Sequence, residues 1–305
     1  MKKALLWIFG VVAIAICADM LLGRFCAWYE SSHDLGGDYT SFSHIKNSFS
    51  EDGLVLGSSV ALNSINTKVL GDSTGISFFN GSSNGQEFPF FITSLQTALS
   101  MHKPQIVLLG LVPQQFESIG MGQRYNFLAP YYHTGQPCID AGLDSMAPES
   151  RYLMKSNLYR FNTIWFRILL YRFITPNEVG ECGFIAKPIP AIFPVKKTVA
   201  VSGHVTDERI REFNQFIDIC QANGIELIVF FPPNYHEFNI QPETIAVADS
   251  ICRSRGVRMY DDTRHPTFRQ DSTLFFDATH LNHDGAKIYT SIMHHHLLDS
   301  SVARQ

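Results

Sequence analysis

Residues 53–66, GLVLGSSVALNSIN, hold the reading on which the rest turns. The run from Gly53 to Gly57 is short and apolar and is closed by Gly57-Ser58-Ser59, the pattern of a buried strand that ends in a turn. The following residues, Val60 to Leu70, have the composition of a helix. A serine at such a strand-to-helix turn carries its hydroxyl at the carboxyl end of the sheet and its own N–H beside a helix N-terminus. That placement suits a nucleophile together with one oxyanion donor. A serine after glycine is also a common helix cap, so Ser59 gains meaning only from partners elsewhere in the chain.

Similar runs recur outward from this stretch, at 75–80 (GISFFN), 105–112 (QIVLLGLV), 224–231 (GIELIVFF) and 256–260 (GVRMY). Each is bounded by turn or cap signals and reads as a buried strand. Helical patterns lie between them, clearest over 206–223. There Ile210, Phe213, Phe216, Ile217 and Cys220 share one face, Thr206 or Asp207 can cap the start, and Gly224 stands where a C′ glycine belongs. Alternating strands and helices imply an α/β fold, a three-layer α/β/α sandwich around a central parallel sheet of about five strands. Such sheets bind ligands beyond the carboxyl ends of their strands.

At the far end, Asp277-Ala278-Thr279-His280 follows the apolar Leu274-Phe275-Phe276 and precedes a helix beginning near Asn282 or His283. A carboxylate and an imidazole three residues apart can both enter one cleft. His280 is then placed to take a proton from serine while Asp277 orients the ring and stabilises its charged form. Either residue could instead cap the next helix. The order of the pieces favours chemistry: serine after the first strand, histidine before the last helix. His294-His295-His296 has no ligand spacing, since consecutive helical residues point apart, and no metal or cofactor is expected. Pro232-Pro233-Asn234-Tyr235-His236 follows the fourth strand. It is either a wall of the acceptor groove, through Asn234, Tyr235 or His236, or a plain Pro-rich turn.

Lys2 and Lys3 precede an apolar run from Ala4 to Ala18 that resumes at Met20–Leu22 before Arg24, long enough to span a bilayer. The lysines favour a cytoplasmic N-terminus, which puts the rest of the chain on the extracytoplasmic or periplasmic side. No small-x-small cleavage site follows the run, so a retained single-pass anchor over 1–28 is expected rather than a cleaved signal. The formal charge of -4 and pI near 6.3 lack the basic footprint that nucleic acid requires. Six cysteines in 305 residues are no disulfide framework. Cys220 and Cys252 fall on core-facing helical positions, while Cys138 and Cys182 are the pair an oxidising compartment could join.

Residues 117–203 interrupt the strand-helix rhythm. They contain RYLMKSNLYRFNTIWFRILLYRF (151–173) and the Pro-rich KPIPAIFP (187–194). Arg160, Arg167 and Arg172 flank Trp165, Phe166, Leu169 and Leu170. One reading is a surface that touches lipid or a membrane partner. The other is a helix whose apolar face covers the core while its arginines face water.

The segments VLGSSVALNSIN, FFNGSSNGQ and FFDATHLNHDGAKIY resemble the serine, glycine and DxxH blocks of the SGNH/GDSL-like hydrolase superfamily. The likeness is to its membrane-anchored branch, which includes D-alanyl-transfer and alginate O-acetylation proteins. It covers about residues 50–116 and 204–298, so 29–305 is expected to be one such domain carrying the 117–203 insertion. The resemblance implies Ser59 as nucleophile with His280 and Asp277, and Gly85 as the residue whose N–H helps bind the oxyanion. Where the family carries Gly-x-Asn-Asp, this chain has Gly110-Leu111-Val112-Pro113-Gln114-Gln115. The side-chain oxyanion donor is thus either missing or replaced by Gln114 or Gln115. The implied function is esterase or O-acyltransferase action on acyl esters of cell-envelope glycans. The alternative is a non-catalytic, glycan-binding or docking partner of a multi-span membrane O-acyltransferase.

Overall fold

The computed structural model describes residues 2–33, 35–117, 125, 127–171, 180–199, 204–238 and 242–302. In chain order the named elements are α1 (Lys2–Ser32), α2 (Gly37–Asn47), β1 (Gly53–Gly57), α3 (Ser59–Ser64), α4 (Thr67–Thr74), β2 (Phe78–Asn80), α5 (Phe88–Met101) and β3 (Ile106–Gly110). The segment after β3 carries α6 (Pro137–Met146), α7 (Asn157–Arg160), α8 (Asn162–Tyr171) and β4 (Thr198–Val199). The chain then continues through α9 (Asp207–Ala222), β5 (Glu226–Phe231), β6 (Glu237–Phe238), α10 (Glu243–Ser254), β7 (Arg258–Asp261), α11 (Pro266–Arg269) and α12 (His283–Val302).

Five strands form one parallel sheet in the order β2-β1-β3-β5-β7, and β4 pairs with β6 in a separate two-stranded ribbon. Because successive strand residues point to opposite faces, each strand feeds two cores. Leu54, Leu56, Val107, Leu109, Leu227 and Val229 enter one, with Phe42 of α2, Phe88 and Phe91 of α5, Phe213 and Phe216 of α9 and Ile245 of α10. Val55, Leu108, Ile228 and Phe230 enter the other, with Leu70 of α4, Phe268 of α11 and Tyr289 and Met293 of α12. Burying one such side chain contributes about 1.5–3 kcal/mol. The three-layer α/β/α sandwich with a five-stranded parallel sheet is therefore what this chain forms.

The strand expected at 53–57 has those bounds, but β2 begins only at Phe78. Gly75, at φ 75°, ends α4 in a left-handed cap whose N–H donates to the Gly71 carbonyl at 2.8 Å, so the first residues of the expected run belong to a helix terminus. The single helix expected over 60–70 is broken into α3 and α4. Asn66 causes the break: its Oδ1 accepts from Val69 N at 3.1 Å, capping α4, while its own N–H donates to Thr290 Oγ1 at 2.9 Å. The helix expected over 206–223 spans 207–222 with Thr206 as its N-cap and Gly224 at φ 65° just beyond it.

α1 is long and apolar enough to cross a membrane, and the boundary expected at residue 28 lies inside it. Cys26 is buried against the domain, Cys220 and Cys252 are core residues, and burial pushes both of those helix thiols up to about 12. Cys138 and Cys182 are not joined by a disulfide: Cys138 Sγ lies 3.7 Å from Thr97 Oγ1, and the Cys182 carbonyl accepts from Thr67 Oγ1 at 2.8 Å.

In the aromatic and basic stretch, Arg160 and Arg167 turn toward the protein, while Arg151 is exposed. Arg167 donates to the Leu35 carbonyl at 2.8 Å and lies over the Tyr39 ring, and Arg160 reaches the Tyr132 carbonyl. Trp165, Phe166, Leu169 and Leu170 are exposed instead, so of the two readings of this stretch the core-covering one is not what forms. Carbonyls left over at Leu35 and Tyr132 draw the guanidinium groups inward. Arg172 lies outside the described residues.

β1 and β3 meet at their carboxyl ends through two glycines, Gly57 opposite Gly110. A Cβ on Gly57 would stand 2.4 Å from the Gly110 carbonyl oxygen and 2.6 Å from Ala61 Cβ, with no flexible neighbour to give way. Gly57→Ala should therefore destabilise the fold by about 1–3 kcal/mol, the usual range for overpacking, read as a lowered thermal midpoint of the full-length protein in detergent. An unchanged midpoint would show that the turn is not sterically limited there.

Candidate active site

Two turns at the carboxyl edge of the sheet supply the polar groups. The first starts where β1 ends. Ser59 is the opening residue of α3, and Leu62 N–H donates to the Ser58 carbonyl at 3.1 Å to close the first helical turn. The far end of α3 is held by Asn80, a fully buried residue at the end of β2. Its amide donates to the carbonyls of Ala61, Leu62 and Ile65 at 3.2, 3.4 and 3.2 Å, and its Oδ1 accepts from Ser82 N at 3.1 Å. One side chain thus satisfies the orphan carbonyls of a short helix and shapes the loop after β2. That loop runs along β1, with Gly81 N donating to Val55 O at 2.9 Å and Ser83 N to Gly57 O at 3.1 Å. It ends at Gly85, whose φ of 65° is a left-handed conformation that only glycine adopts at little cost.

The second turn is the loop before α12. An antiparallel bridge between Phe275 and Leu281 closes it, and Phe276 N donates to the His280 carbonyl at 2.8 Å. Asn282, fully buried, fastens both sides: its amide donates to the carbonyls of Thr273 and Phe275 at 2.7 and 3.4 Å. Its Oδ1 accepts from Asp284 N and Gly285 N at 3.1 and 3.0 Å, which caps α12.

Within this loop Asp277 accepts from Thr279 N and His280 N, both at 2.9 Å, and from Thr279 Oγ1 at 3.1 Å. Its carboxylate lies 2.8 and 2.9 Å from His280 Nδ1, and His280 Nε2 lies 2.7 Å from Ser59 Oγ. A hydrogen-bonded chain of carboxylate, imidazole and hydroxyl thereby joins residues 221 positions apart. Burial acts to raise the Asp277 carboxyl, but the His280 ring and the two backbone donors outweigh it and hold the group well below the usual carboxylate range. Thr279, which sequence reading passed over, touches both members of the pair, its Oγ1 also lying 3.2 Å from His280 Nδ1.

The remaining expected residues are placed differently. Gln114 is exposed, whereas Gln115 is 3% exposed and neither of its side-chain polar atoms has a hydrogen-bond partner among the described residues. The hydroxyls of Ser58, Ser82 and Ser83 are likewise buried without a partner among the described residues. Buried polar atoms left unpaired in this way commonly mark places where another polar group is received. Asn234 has its Oδ1 engaged by His236 N at 3.0 Å, closing a turn on itself, and the adjacent Tyr235 N donates to the Ala278 carbonyl at 3.0 Å. The Pro-rich turn therefore braces the Asp277–His280 loop from outside. His236 stands in the field of Asp277, but burial and the Lys197 charge lower its pKa. Of the consecutive histidines, His296 Nε2 is 3.1 Å from Asp262 Oδ2 and its ring stacks on Tyr260 at 3.8 Å.

No protein-family description and no curated protein matches the sequence. Among solved structures, a presumed acylhydrolase of Bacteroides fragilis is similar over 81% of this chain and 86% of its own, at 9% sequence identity and a TM-score of 0.40.

Proposed function

We propose that this chain is a membrane-anchored serine enzyme of the SGNH type that forms an acyl-Ser59 intermediate. It passes the acyl group to water or to a hydroxyl of a cell-envelope glycan on the extracytoplasmic side. The observation that carries the reading is the 2.7 Å contact between Ser59 Oγ and His280 Nε2, with Asp277 on the opposite ring nitrogen. With Nδ1–H donating to the carboxylate, Nε2 is free to accept the serine proton as Oγ attacks the acyl carbonyl. The imidazolium then returns that proton to the departing alcohol oxygen, and the incoming water or glycan hydroxyl is deprotonated in the same way in the second half. The N–H groups of Ser59 and Gly85 and the amide of Gln115 are assigned to the oxyanion. Gln115 is preferred over Gln114 because its amide is buried and, among the described residues, unengaged, the state expected of a donor waiting for a developing charge. α1 serves as the anchor.

A docking role without catalysis is the competing reading, favoured by the glutamine pair where the family carries asparagine. Labelling separates the two. Full-length protein in detergent should react with a fluorophosphonate at Ser59, and Ser59→Ala and His280→Ala should each abolish the adduct. A folded protein that takes no label would favour the docking role. Gln115→Ala should retain the nucleophile but slow acyl-ester turnover by about a hundredfold, the cost of one oxyanion donor. A similar loss in Gln114→Ala with Gln115→Ala unaffected would reverse that assignment.

The pH dependence has a definite sign. The imidazole accepts a proton only when neutral, so the rate should fall as pH drops through the histidine range. Asp277 is held below the usual carboxylate range and stays ionised throughout, so the acid limb should report one proton. A two-proton limb above about pH 5 would mean that Asp277 is protonated there, against the role given to it.

A further inference from the structure

The insertion helices pack against α1 in a way that gives them a position relative to a bilayer. Asp19, within the apolar helix, accepts from Ser156 Oγ at 2.8 Å, Asn157 N at 2.9 Å, Asn157 Nδ2 at 3.0 Å and Leu158 N at 2.7 Å. Gly23, one turn further on, leaves room for Asn157: a Cβ there would stand 2.4 Å from Asn157 Cγ. The start of α7 is thus clamped at the height of Asp19. A hydrocarbon core of about 30 Å takes about 20 helical residues, so a span starting at Ala4 ends beyond Asp19. A carboxylate at that depth is costly in lipid unless donors come to it, and here the domain brings four.

Around this clamp lies an apolar surface that no element among the described residues covers. Leu158 is 54% exposed, and Phe166 and Leu169 of α8, which also packs on α1, are 58% and 57% exposed. Phe161 and Ile164 turn inward and hold the segment to the core, and Arg167, the basic residue of α8, also faces in. Past the exposed Asn162 at its start, what α8 turns outward is aromatic and aliphatic, with Trp165 among it. Tyr152 and Leu153 extend the surface, with Lys155 Nζ 5.4 Å from the Tyr152 ring, an aromatic and basic combination suited to headgroups.

We propose that this face, from Tyr152 to Leu169, is immersed in the interfacial layer of the bilayer that α1 crosses. The proposal rests on the reading of α1 as an anchor. Lipid is preferred to a protein partner because the anchor itself brings a bilayer to the level of Asp19, and whatever the domain exposes at that height meets lipid first. A face of this kind binds in proportion to the apolar area it buries.

The three tryptophans, Trp7, Trp28 and Trp165, allow a direct test with the full chain. The variants W7F/W28F and W28F/W165F each leave one reporter, placed in phosphatidylcholine vesicles with or without bromine on the acyl chains. We expect brominated lipid to quench both Trp7 and Trp165 at least twofold. Quenching of Trp7 with Trp165 unaffected would leave the anchor standing and overturn the immersed face, whose apolar surface would then await a protein. Loss of quenching at both would remove the anchor and this inference together. Quenching of Trp165 alone would keep the lipid contact and remove the span.

Discussion

The approach of β1 to β3 at Gly57 and Gly110 is the constraint on which the rest depends. Neighbouring parallel strands keep one spacing whatever their side chains, but the space over their carboxyl ends stays open only where no Cβ fills it, and here two glycines face each other across the register. That gap lets α3 leave β1 immediately, with Ala61 packed over the glycine pair, and so raises Ser59 at the edge of the sheet instead of burying it within a longer turn. Everything that meets Ser59 is built to reach this one point. Asn80 anchors the end of α3 from the neighbouring strand, and Asn282 holds the loop that delivers His280 from the far end of the chain.

Two carboxylates with several hydrogen bonds each, Asp277 and Asp19, are handled by the same device. Each receives successive backbone N–H groups from a tight turn, those of Thr279 and His280 in one case and of Asn157 and Leu158 in the other, with side-chain donors added. Such a cradle favours the charged form and fixes the direction of the oxygens. In the loop before α12 it leaves the imidazole with one orientation. In the contact between α1 and α7 it joins the long apolar helix to the domain.

Much of this could be read from residue order, and the remainder could not for physical reasons. Continuous apolar runs bounded by glycine marked the strands, because a strand buried on both faces has no polar positions. The break at Asn66 was written in a capping residue but hidden by the unbroken helical composition around it. Ser59, Asp277 and His280 stood out because each sits at an element boundary where a side chain has a known direction. Gln114 and Gln115 were indistinguishable because a loop has no periodicity to assign a face, and burial alone separates them. Composition alone could not say whether the apolar side chains of the insertion covered the core or lay outside, nor which way Arg160 and Arg167 turned. Carbonyl acceptors from Leu35 and Tyr132, remote in the chain, turned them inward and left the apolar side chains outside.

The clamp at Asp19 also bears on how the chain is made. Its partners lie 137 to 139 positions downstream, so the carboxylate is synthesised long before Ser156, Asn157 and Leu158 exist to receive it. If α1 is inserted as it is synthesised, the nascent helix must hold Asp19 near the aqueous boundary until the insertion emerges. Docking of α7 would then seat the helix at its final depth. Assembly would proceed from both ends of this contact, with the late-arriving segment deciding where the first-made helix comes to rest.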